Sequence, residues 1–115
     1  MTVVEFGTQN KDTVILLHGG GLSWWNYREV AKPLEKDYHV ILPVLDGHAG
    51  SDAPFATIED NAARLISYID THFGSQVTVL GGLSLGGQVY HCPRYNGKNH
   101  IAYTAWWHRI FAGLH

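Results

Sequence analysis

The sequence predicts an α/β domain, a small parallel sheet flanked by helices, and three observations carry that expectation. Three short runs, Thr13–Leu17, Tyr38–Leu42 and Val77–Leu80, are apolar without polar alternation, as in strands covered on both faces. The stretches between them space their apolar residues as helices do. Each run closes on glycine or proline: His18-Gly19-Gly20-Gly21, Pro43, and Gly81-Gly82. Strands are therefore placed near 13–18, 38–42 and 77–81, in the order β-α-β-α-β, with parallel strands and right-handed crossovers.

The helices follow from local chemistry. Ser23 can cap a helix beginning at Trp24, with Tyr27, Val30, Ala31 and Leu34 on one side and Pro33 kinking or dividing it. Thr57 followed by Asp60 resembles a capping box, and Ile58, Ala62, Leu65, Ile69 and Phe73 recur behind it at helical spacing until Gly74. After the third strand Leu85–Tyr90 starts a helix, which Pro93 and the Asn96-Gly97 turn limit to about two turns. The apolar, aromatic stretch 101–114 is read as helical.

Composition narrows the function class. The chain has 115 residues, 45% hydrophobic and 16% charged, which describes one globular domain. No apolar run approaches the roughly 20 residues of a membrane span. Met1–Gly7 lacks a basic start and an apolar core, so no signal peptide is read there. The single cysteine, Cys92, fits a reducing compartment, and the expected localisation is cytoplasmic. Ten acids and five bases lie up to Asp70, and three bases and no acid beyond it. Three scattered bases make no phosphate-binding surface, so nucleic acid is not an expected partner.

Three motifs remain. Gly82-Leu83-Ser84-Leu85-Gly86 matches G-x-S-x-G between a predicted strand and a predicted helix. Such a sharp turn exposes the serine and points the next amide, that of Leu85, at a developing oxyanion. His18-Gly19-Gly20-Gly21 offers a second amide close to a substrate carbonyl, or is a flexible turn. The patterns G-x-G-x-x-G and G-x-x-x-x-G-K-[ST] are missing, so it is not read as a phosphate loop. His18 is read mainly as an organiser of its loop. Asp46-Gly47-His48-Ala49-Gly50-Ser51-Asp52 reads as a polar turn, with Gly47 and Gly50 at positive φ and Asp46 bonding backbone amides. A metal role for Asp46, His48 and Asp52 is the alternative.

These motifs, over about Val14 to Gln88, resemble the N-terminal half of the α/β-hydrolase superfamily, whose small esterase-like members share their order. The resemblance implies a partial α/β-hydrolase fold and a serine hydrolase acting on a small ester, amide or thioester through an acyl-enzyme. It implies Ser84 as nucleophile, the amides of Leu85 and of Gly20 or Gly21 as the oxyanion hole, and no metal or organic cofactor. Trp24 and Trp25 would then lie near the acyl pocket, unless they only pack the helix start. The partner expected is a small acyl substrate.

The family pattern calls for an acid and then a histidine after the serine, and no Asp or Glu follows Ser84. His91, His100, His108 and His115 do follow, so an internal triad would recruit an upstream acid such as Asp46 or Asp70. The spacing of His91, Cys92, His100 and His108 matches no familiar zinc pattern. Residues 1–88 are read as the family-like part and 89–115 as a divergent tail, with a truncation or change of reading frame shortly after Gln88. The alternative function is an inactive fragment, or a binding or dimerising remnant that associates through an exposed sheet edge.

Overall fold

The computed structural model describes residues 1–73, 77–83, 85–90 and 101–106. Its strands are β1 (Val3–Phe6), β2 (Thr13–Leu17), β3 (His39–Pro43), β4 (Val77–Gly82) and β5 (Ile101–Trp106). Its helices are α1 (Arg28–Leu34), preceded by a 3-10 turn at Trp24–Tyr27, α2 (Ile58–Phe73) and α3 (Leu85–Tyr90). They form one sheet in the order β1-β3-β2-β4-β5. β3, β2, β4 and β5 are parallel, and β1 joins β3 antiparallel. The architecture is the α/β class expected, a small sheet with helices flanking its central strands.

The three strands expected are present and lie at the centre of the sheet, every residue of β2 being buried. Two apolar layers confirm that it is covered on both faces. Ile15, Leu17, Ile41 and Leu80 pack with Ala62, Leu65 and Ile69 of α2 and Val89 of α3. Val14, Leu16, Val40 and Leu42 pack with Tyr27 and Ala31 on the other side. The five α2 residues with helical spacing all belong to the first layer, Ile58 and Phe73 at its margin.

Five local expectations are corrected. The sheet is mixed and five-stranded, because the short run Val3-Val4-Glu5-Phe6 adds an edge strand that its four residues and central Glu5 disguise. The tail expected to be helical near 101–114 contains β5 instead: Ile101, Tyr103, Thr104 and Trp106 are strand-forming types, and the segment pairs along β4. Residues 107–114 lie outside the described residues, as does Gly74. Ser23 precedes the 3-10 turn but makes no capping bond, since its buried hydroxyl donates to the Ala49 carbonyl at 2.6 Å. Val30 is 44% exposed rather than on the apolar side. Pro33 sits in the last turn of α1 and does not divide it.

Candidate active site at the carboxyl edge of the sheet

In parallel sheets the loops at the carboxyl ends of the strands carry the chemistry. Here the ends of β2, β3 and β4 bring all three sequence motifs to one edge. β2 and β4 run in register up to Leu17 and Gly82. One bond beyond, the Leu83 N–H donates to the Leu17 carbonyl at 3.0 Å. The same oxygen accepts the Tyr27 hydroxyl at 3.0 Å, and burial raises the pKa of that phenol, so it stays a donor.

The strand-to-helix turn is closed by Gly86, whose N–H donates to the Leu83 carbonyl at 3.0 Å. A side chain there would collide with the Leu17 carbonyl and lie 2.7 Å from that of His18. This approach explains the second glycine of the G-x-S-x-G pattern: α3 can start against β2 only if residue 86 carries no Cβ. Ser84, the expected nucleophile, lies outside the described residues, and so do His91, Cys92, His100, His108 and His115. The turn that brackets residue 84 is defined on both sides.

The glycine loop faces this turn. A methyl on Gly20 would touch the Leu85 side chain at 3.6 Å, and one on Gly19 would touch Leu83 at 3.5 Å. Gly21, with φ of 76°, borders open space. The structure therefore brings together three of the four residues expected at the site: Gly20 and Leu85 in contact range, with Gly21 beside them. Among the described residues the amides of Gly20 and Gly21 donate to no acceptor. Leu85 is the first residue of α3, so its N–H has no acceptor within the helix.

His18 holds this loop. It is fully buried. The Leu45 N–H donates to its Nε2 at 3.0 Å, so that nitrogen carries no proton. Nδ1 must then be protonated, and it donates to the Gly19 carbonyl at 2.8 Å. Burial lowers the imidazole pKa, the bond to Gly19 opposing and the neighbouring His48 assisting. The Leu22 N–H also donates to the Gly19 carbonyl, at 3.2 Å. The peptide joining Gly19 to Gly20 is planar and trans, so fixing its carbonyl aims the Gly20 N–H the opposite way.

The turn after β3 completes the edge. Gly47 and Gly50 adopt φ of 77° and 92°, as the sequence led us to expect. The Asp46 carboxylate, among the described residues, meets Arg64 at 3.7 Å rather than backbone amides, and Arg64 reaches Asp52 at 3.6 Å. Asn61 accepts the Asp46 N–H at 2.9 Å and so ties the turn to α2. The sequence reading missed Asn61 and Arg64, which fall off the apolar helical spacing that revealed α2. No three His, Cys, Asp or Glu among the described residues are grouped to hold a metal ion, and no helix among them is long and apolar enough to cross a membrane.

The two tryptophans separate. Trp24 packs near Phe6, with ring centroids 6.4 Å apart and the Arg28 guanidinium 4.8 Å above it; Trp25 is 46% exposed. A cavity of about 300 Å³ lined by Met1, Arg64, Ser67, Tyr68, Thr71 and His72 follows α2 and shares no residue with the glycine loops.

The model of the alpha/beta hydrolase family matches residues 14–115. Among solved structures, a protein from Desulfitobacterium hafniense assigned to that family superposes with a TM-score of 0.80 at 21% identity, covering 91% of this chain and 43% of its own. A thermophilic esterase from Thermogutta terrifontis gives 0.73 at 26% identity, covering 91% and 39%. A membrane phospholipase A described as a bacterial virulence factor gives 0.76 at 25%, covering 90% and 34%. The chain thus spans less than half the length of these similar structures.

Proposed function

Since the chain belongs to the alpha/beta hydrolase family, we propose that its site is built for acyl transfer, with Ser84 attacking a small ester, amide or thioester. Ser84 Oγ bonds to the acyl carbon while its proton passes to a base, and the carbonyl oxygen becomes an oxyanion. The amides of Leu85 and of Gly20 or Gly21 hold that oxyanion, Gly20 being the one aimed by His18. Collapse expels an alcohol, amine or thiol, which takes up the proton, and water then releases the acid from Ser84. The observation that carries this reading is Gly20, whose amide has no acceptor among the described residues and whose Cα faces the Leu85 side chain across a turn that needs glycine at 86. The names of the esterase and the phospholipase A among the similar structures make esters the first class to test.

One observation favours a second reading. Within these 115 residues no Asp or Glu follows Asp70, so a base taken from the four histidines after Ser84 would here be oriented by an upstream acid or by none. In the latter case the chain is a catalytically silent fragment or a binding remnant. A fluorophosphonate probe separates the readings, because it phosphonylates an activated serine and spares an unassisted one. The expected adduct is on Ser84, among the chain's five serines, and is lost in Ser84→Ala. Recovery of unmodified protein under conditions that label a known serine esterase would establish the second reading.

A further inference from the structure

A second imidazole bears on the loop clamp. His48, half-buried in the turn after β3, has its ring centroid 5.0 Å from that of His18, at an interplanar angle of 58°. Its ring also stands edge-on to that of Phe55, with centroids 6.4 Å apart. The hydrogen bonds of the two rings differ in one respect that decides where an added proton goes. His48 Nδ1 lies 3.0 Å from the Asp46 carbonyl, an oxygen that can only accept, so Nδ1 carries hydrogen and Nε2 is the nitrogen left to protonate. A proton there leaves the bond to Asp46 in place. His18 has both nitrogens committed, and protonating its Nε2 would destroy the acceptor that holds the Leu45 N–H.

We infer that His48 is a positioning residue that keeps the His18 clamp neutral in acid: it takes the proton itself, and its charge, one ring away, opposes a second proton on His18. The lowered pKa of His18 agrees, burial being the main cause and His48 a contributor. The charged groups of the same turn and of α2, packed on it, are Asp46, Asp52 and Arg64, and they pair with one another. Among the described residues the titratable ring packed against that of His48 is His18. Like charges that close disfavour double protonation. The catalytic consequence, a Gly20 amide that stays aimed as the medium acidifies, rests on the acyl-transfer reading; the protonation order does not.

Ring-nitrogen NMR of the full chain, labelled with 15N in its histidines, tests the inference. In the unsubstituted protein His48 Nε2 should protonate while His18 retains its neutral Nδ1–H form. In His48→Phe, which keeps a ring and removes the charge, the His18 midpoint should move upward. His48→Gln should move it in the same direction if the phenylalanine variant fails to fold. A midpoint that stays put or moves downward overturns the inference. So does a His18 in the unsubstituted protein that protonates before His48. Fluorophosphonate labelling of the same samples keeps the two ideas apart: unlabelled Ser84 with the expected titration order defeats the acyl-transfer reading alone.

Discussion

Gly86 shows how a single missing Cβ can set the geometry of a site. Gly86→Ala drives a methyl into the carbonyls of Leu17 and His18, main-chain atoms that cannot rotate away, and a cost of about 3 kcal/mol is expected for overpacking of this kind. A urea titration should read it as a lower midpoint at unchanged slope. His18 makes a second prediction. Its folded pKa is lowered below 6.5, so the unfolded chain binds the proton more readily. The stability it contributes is therefore present above about pH 6.5 and is lost as pH falls from there towards the folded value. Unfolding free energy measured down to pH 5 should decline in the native protein, and the slope should flatten in His18→Gln. At this scale the sequence was legible where backbone geometry dictates residue type, as at Gly47 and Gly50. It misled at Ser23, read as a cap although its hydroxyl crosses to Ala49, because a partner 26 positions away leaves no local pattern.

Elements were legible in proportion to how evenly they are buried. β2, β3 and β4 lie at the centre of the sheet, so their apolar runs announce them. β1 and β5 lie at its edges, where pattern weakens, and one went unread while the other was taken for a helix. The start of α2 was readable from Thr57 and Asp60: the Asp60 N–H donates to the Thr57 hydroxyl at 3.0 Å. Thr57→Ala should cost about 1 kcal/mol, seen as a lower thermal midpoint. Tyr27→Phe removes the hydroxyl donor from the Leu17 carbonyl, which keeps its bond from Leu83. A loss of about 1 kcal/mol is expected in the same measurement.

Among the described residues the sheet has a buried centre and two outermost strands, β1 and β5. Among the described residues no strand pairs with the outer side of β1, and an unprotected edge is a template for another chain. Self-association that grows with protein concentration is the expected behaviour. Sedimentation velocity should show it, and a single monomer boundary across a hundredfold range of concentration would refute it. The candidate site depends less on these margins than on three adjacent central strands, whose ends carry all three motifs. The base and acid of a complete mechanism were not legible, because no Asp or Glu lies between Ser84 and residue 115.

The central claim is that this edge presents amides without an acceptor among the described residues beside pinned ones, and residue-resolved amide hydrogen exchange tests it without requiring turnover. The amides of Leu45, Leu83 and Gly86, each donating within the structure, should exchange slowly. Those of Gly20, Gly21 and Leu85 should exchange near the rate of an unstructured chain. Strong protection at Gly20 and Leu85, or none at Leu83 and Gly86, would contradict the account.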